Sequence, residues 1–173
     1  MAGYSRGNPR LGDIVRSVGV LGAVILLVWG VGQVFTVTPD EPTRAVDHAA
    51  AARSAQDAVP YDLLSPRRLP DGWRATSARL DQPTAWHLGV VTDDDQYIGL
   101  EQDVTSVEDL VKRFAEGSRE VGPVDVGGRD WTEREGADGE VVLVRSDGDA
   151  ATLVTGDPDR ATVLAYVGSL SSP

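Results

Sequence analysis

AWHLGVVTDDDQYIGLEQDV, residues 85–104, is the stretch whose reading decides the fold. Ala85–Thr92 alternates, with Trp86, Leu88 and Val90 on one face and His87, Gly89 and Val91 on the other. Asp93, Asp94 and Asp95 make a turn, and Gln96–Val104 reads as the returning strand. Two such runs so close together predict an antiparallel hairpin.

The reading extends in both directions. Upstream, Leu69-Pro-Asp-Gly-Trp73 is a turn that feeds a strand over Arg74–Leu80. Downstream, Thr105 with Glu108 forms a capping box, and Val107, Leu110, Val111 and Phe114 follow at helical spacing. Gly117 is a natural stop for that helix. Gly127-Gly128 between short alternating runs predicts a second hairpin. Glu140–Arg145 and Ala150–Thr155, flanking Ser146–Asp149, predict a third. Asp157 as cap and Pro158 as first helical residue introduce a closing helix marked by Val163, Val167 and Leu170. The order β-β-β-α-β-β-β-β-α predicts an α+β domain over residues 60–173: a small, mainly antiparallel sheet with two packed helices.

Before this domain lies a different kind of sequence. From Ser17 to Thr38 no residue is charged, and Val18–Gly32 is unbroken apolar residue and glycine. These residues suffice for a helix across a hydrocarbon core of roughly 30 Å. Arg6, Arg10 and Arg16 precede it and Asp40, Glu41 and Asp47 follow, so the N-terminus is expected in the cytoplasm and the domain outside. The apolar run is longer than a signal peptide requires, and no small-residue cleavage pattern stands close behind it. The expectation is an uncleaved single-pass anchor in the cell membrane over 17–38, after a cytoplasmic tail over 1–16. Gly19 and Ala23 form a small-xxx-small pair of the kind common in membrane helices. Residues 39–59 open with Pro39 and Pro42 and turn alanine-rich, which favours helix, but with no apolar stripe to dock one; they read as a mobile or partly helical stalk, with His48 solvated.

Composition narrows the function. The chain has 173 residues, 16 Lys+Arg against 27 Asp+Glu, and a net charge of -11. Residues 60–173 hold 22 of those acids and 11 of those bases, so the acidity belongs to the outer domain and disfavours nucleic acid as a partner. No cysteine is present, which removes disulfides, thiolate metal sites and cysteine nucleophiles. His48 and His87 are the two histidines, too few for a histidine metal centre. Asp93–Asp95 and the Asp147/Asp149 pair lack the spacing of a calcium loop and read as solvated turns. Neither G-x-S-x-G, S-x-x-K, G-x-G-x-x-G nor a P-loop occurs. His87, mid-strand, reads as structural. Trp73, Trp86 and Trp131 read as core rather than as a groove lining.

The N-terminal anchor, Leu69–Trp73, Ala85–Val90, Tyr97–Gln102, Gly128 with Trp131, and Leu153–Gly156, in this order, resemble an actinobacterial family of membrane-anchored proteins, domain-of-unknown-function family 4245. The resemblance implies membrane location and an actinobacterial source, and it carries no activity or site residue. The 15 arginines against one lysine independently fit a GC-rich genome. The order of elements is also similar to domains of the PsbP/Mog1-like type, an analogy of fold that implies no function.

The expectation is a non-enzymatic outward domain, without cofactor or metal, that binds a protein or envelope component. The candidate interaction surface is Trp86, His87, Tyr97 and Glu101. One alternative is a carrier of a small apolar ligand or lipid; a carboxylate-based envelope hydrolase is a more remote one.

Overall fold

The computed structural model describes residues 45–173, apart from positions 82 and 158. The expected tail and membrane span lie outside the described residues. Among these, no helix is long and apolar enough to cross a membrane.

The domain is α+β. A first helix, α1 (His48–Gln56), precedes a two-residue strand, β1 (Ser65–Pro66). Then come β2 (Arg74–Asp81), β3 (Ala85–Val91), β4 (Tyr97–Asp103) and helix α2 (Val107–Phe114). Four strands follow: β5 (Arg119–Val126), β6 (Arg129–Glu135), β7 (Val141–Asp147) and β8 (Ala150–Gly156). Helix α3 (Arg160–Gly168) and a short β9 (Leu170–Ser171) close the chain.

Seven strands form one sheet in the order β2-β3-β4-β8-β7-β6-β5, each antiparallel to its neighbours. The topology is two meanders, β2–β4 and β5–β8, stitched along β4 and β8. Helix α2 carries the chain from the centre of the sheet to its far edge. Pairing of β1 with β9 ties the entrance of the domain to its last residues.

The two faces are covered differently. On the inner face, Trp86, Leu88, Val90, Ile98, Leu100, Leu143 and Val154 pack with Ala52 and Ala55 of α1 and Val163, Tyr166 and Val167 of α3. On the outer face, Leu110 of α2 packs on Val142, Val144, Ala151 and Leu153 of β7 and β8. The tight turns have local causes. Gly127 and Gly128 take φ +64° and +75°, as a two-residue hairpin with the right-handed twist requires.

Several details depart from expectation. Residues 48–56 form a docked helix and belong to the domain, although their composition resembles a solvated stalk. Ala52 and Ala55 are buried, because alanine is small enough to bring the helix backbone close to the core. Gln56 fastens the following loop by accepting from the Leu63 amide and donating to the Tyr61 carbonyl. His48 is half-buried, its Nε2 3.2 Å from the Pro66 carbonyl oxygen. The domain therefore has three helices, not two.

Helix α2 is capped by Ser106, which accepts from the Asp109 amide, one residue beyond the expected Thr105. Its stripe keeps Val107, Leu110 and Val111 against the sheet but leaves Phe114 exposed, with the Arg113 guanidinium over its ring. The chain turns at Ala115, which takes the buried place instead. Helix α3 is capped by Asp159 rather than Asp157; Pro158 lies outside the described residues. Leu170 sits in β9, not in the closing helix.

Candidate functional site

The open part of the outer face is where His87 stands. Helix α2 covers β7 and β8, and β2, β3 and β4 carry the part of that face beyond β8. Register places Arg79, His87 and Glu101 in one cross-strand row, and Ser77, Gly89, Gly99 and Thr155 in the next.

Three of these side chains form a hydrogen-bonded chain. Ser77 Oγ is 2.8 Å from His87 Nε2, and His87 Nδ1 is 2.5 Å from Glu101 Oε1. The His87 and Glu101 side chains are only 12% and 13% exposed, so the pair is shielded from bulk water. A carboxylate facing Nδ1 matches the Nδ1–H tautomer, in which Nε2 accepts from the serine hydroxyl.

Strand geometry sets this up. The β2–β3 register shifts between Ala75 and Ser77, with Thr76 as the extra residue. Ala75 opposite Val90 points into the core, whereas Ser77 opposite Gly89 points out. Bulges of this kind re-aim a side chain.

Tyr97 closes the hollow above. A Cβ placed on Gly89 would lie 2.5 Å from Ser77 Oγ and 2.9 Å from the Tyr97 hydroxyl. One placed on Gly99 would lie 3.2 Å from the Tyr97 ring and 3.3 Å from Thr155 Oγ1. The two glycines thus make room for the ring to lie back over the sheet. Burial raises the Tyr97 phenol above its ordinary value, Glu101 and Asp157 push it further, and Arg79 opposes them. The hydroxyl stays protonated at neutral pH and is a donor there.

Of the expected surface, His87, Tyr97 and Glu101 do share this face. Trp86 does not: it is 1% exposed, lies on the inner face, and donates from Nε1 to the Leu64 carbonyl. Its place on the hairpin is the reason, since adjacent strand residues point to opposite faces. Ser77 was missed because the bulge leaves no trace in the hydropathy pattern. Its one sequence signal is alternation counted back from Leu80 and Ala78, which points Ser77 outward.

Trp131 is core, as expected, and Trp73 is half-buried. Trp73 stacks on Tyr166 at 6.2 Å between ring centroids. The two rings, with Leu69, Pro70 and Ala165, line a surface cleft of about 640 Å³ between the Leu69–Trp73 turn and α3. Among the described residues no group of three or more acidic or histidine side chains is arranged to hold a metal ion.

Fold and site together define a small α+β domain built on one antiparallel sheet, with a polar strip on the uncovered part of its outer face. The chain belongs to the family described as protein of unknown function, DUF4245, whose model matches residues 6–170. The match takes in the apolar stretch as well as the domain. No curated protein and no solved structure matches the chain.

Proposed function

We propose that this chain is a single-pass membrane protein of an actinobacterial envelope, whose outward domain binds a protein component of that envelope through the outer face of β2, β3 and β4. The span and its flanking charges support the anchor and its orientation. The observation that carries the binding face is its uneven covering: α2 seals β7 and β8, while the neighbouring strands keep a preset polar network beneath the exposed ring of Tyr97. Preordered polar groups around an exposed aromatic lose little entropy on binding, a property of interface anchors.

The test is site-specific photo-crosslinking of the full-length protein in its native membrane. A photoreactive residue at Arg79 or Tyr97 is expected to give a discrete protein adduct, and one at Asp125, near the end of the far edge strand β5, is expected to give none. Equal adducts from both places, or none from the outer face, would refute the choice of surface.

A second reading, a carrier of a small apolar ligand, is favoured by the Trp73–Tyr166 cleft. The space between sheet and helices is filled by Trp86, Leu88 and Leu100, so such a ligand would sit in the cleft and not in the core. Native mass spectrometry of the protein released gently from its membrane tests this: bound mass that leaves on denaturation supports a carrier, and the bare chain mass argues against one.

A further inference from the structure

The chain Ser77–His87–Glu101 has the parts of an activated nucleophile in their working order: hydroxyl, imidazole, carboxylate. The tautomer that matches Glu101 leaves His87 Nε2 free to take a proton from Ser77 Oγ at 2.8 Å. Two further features bear on its chemistry. Ser77, like His87 and Glu101, is half-buried on the outer face and not sealed in the core. In addition, Ser77 Oγ and the Tyr97 hydroxyl lie together over Gly89, where an added Cβ would be 2.5 Å from the one and 2.9 Å from the other. A nucleophile and a proton donor thus stand side by side.

We propose that Ser77 attacks the carbonyl carbon of a carboxylic ester, with His87 as base, Glu101 as positioning residue and Tyr97 as donor to the carbonyl oxygen. Bond formation between Ser77 Oγ and the carbon sends the serine proton to His87 Nε2. The carbonyl oxygen gains the electron pair and accepts from the Tyr97 hydroxyl. As the ester C–O bond breaks, His87 returns that proton to the departing alcohol. Water then attacks the acyl-serine, gives its proton to His87, and releases the acid; the proton goes back to Ser77. Nothing is oxidised or reduced.

Magnitude selects the substrate. One oxyanion donor is worth about 10²–10³ in rate, and a site with one such side-chain donor suits oxygen esters rather than amides. The proposal takes from the preceding section only the choice of face.

The experiment uses the full-length chain in detergent micelles with two probes: an alkyl fluorophosphonate, which phosphonylates activated serines, and p-nitrophenyl acetate. Intact mass and peptide mapping are expected to place one phosphonyl group on Ser77, and none on the Ser77→Ala variant. His87→Gln is expected to slow labelling at least about a hundredfold. Tyr97→Phe is expected to slow p-nitrophenol release by a similar factor. Glu101→Gln is expected to lower the rate and also to change its pH profile, which a merely structural role would leave in place. Arg79, opposite His87, together with Tyr97 and Asp157, are the other charged or titratable groups in that environment and stay unchanged in the comparison. Wild-type protein, folded by circular dichroism, that takes no label on Ser77 overturns the proposal without reference to any variant. Failure of labelling alongside a retained crosslink at Arg79 removes the nucleophile and leaves the binding face standing; loss of the crosslink with labelling intact does the reverse.

Discussion

Ala75 and Ser77 are two residues apart in one strand, yet they face opposite sides of the sheet. A regular strand would put both on one face. The extra residue, Thr76, lets Ala75 fill the core beside Val90 while Ser77 meets His87 on the outside. The polar strip of the outer face therefore depends on a local irregularity of β2.

The first consequence concerns His87. With Glu101 ionised, the Nδ1-protonated tautomer is expected to dominate at neutral pH, since Nδ1 faces the carboxylate and Nε2 faces the Ser77 hydroxyl. Ring nitrogen chemical shifts in a labelled sample read this directly. A dominant Nε2-protonated ring would show that the chain runs the other way, with the serine accepting.

Gly89→Ala is expected to destabilise the domain by about 1–3 kcal/mol, the range for overpacking a filled site. The added methyl would lie 2.5 Å from Ser77 Oγ and 2.9 Å from the Tyr97 hydroxyl, so one must move. Chemical denaturation measures the loss. Unchanged stability would mean that the Tyr97 ring swings aside freely.

Gln102 is the buried polar residue that joins three segments. Its Oε1 accepts from the Leu64 amide at 2.6 Å, and its Nε2 donates to Thr152 Oγ1 at 3.1 Å. Gln102→Leu keeps the volume but orphans a buried backbone N–H, at a cost of about 1–3 kcal/mol. Urea unfolding of the two proteins is the check; equal midpoints would show that the loop before β1 finds another acceptor.

The docked α1 predicts where the chain can be cut. Protein beginning at Thr43 is expected to unfold cooperatively. Protein beginning at Pro60 loses Ala52 and Ala55 from the core and Gln56 from the Leu63 amide, and its melting temperature should fall by several degrees or more. Equal melting temperatures would restore residues 48–56 to the status of a stalk.

Alkaline pH should weaken the fold through two tyrosines. Burial, then the Asp103 charge, raises Tyr61 to about 12, while burial lifts Tyr166 further. Both groups hold their protons in the folded state after the unfolded chain has lost them. Their contribution is complete below pH 10 and declines as pH rises from 10 towards 12, by up to about 1.4 kcal/mol per pH unit for each group. Tyr61→Phe and Tyr166→Phe should each flatten that decline. Stability that is flat from pH 9 to 12 would contradict the shifts. Tyr166 Oη has no hydrogen-bond partner among the described residues, so Tyr166→Phe should cost little or stabilise at neutral pH.

What was legible in the sequence was what depends on near neighbours. Period-two alternation in 85–91 and 97–103 placed the central hairpin, and Gly127-Gly128 placed the second, because the hairpin twist needs positive φ at both positions. The stripe at 107–111 placed α2, but Gly117 set its end too late: the helix stops at Phe114, where the chain turns Ala115 in and leaves Phe114 out. The motifs also identified the family, through order and spacing alone. Tertiary structure decided the rest. Alanine at 52 and 55 carries almost no hydrophobic signal, so only the close approach of α1 to the sheet shows that it docks. Whether Trp86 or His87 faces outward depends on which side the helices cover, a long-range choice that alternation leaves open. Ser77, His87 and Glu101 come from three strands, and it is the β2–β3–β4 register, shifted by the bulge at Thr76, that brings their side chains into one chain of hydrogen bonds.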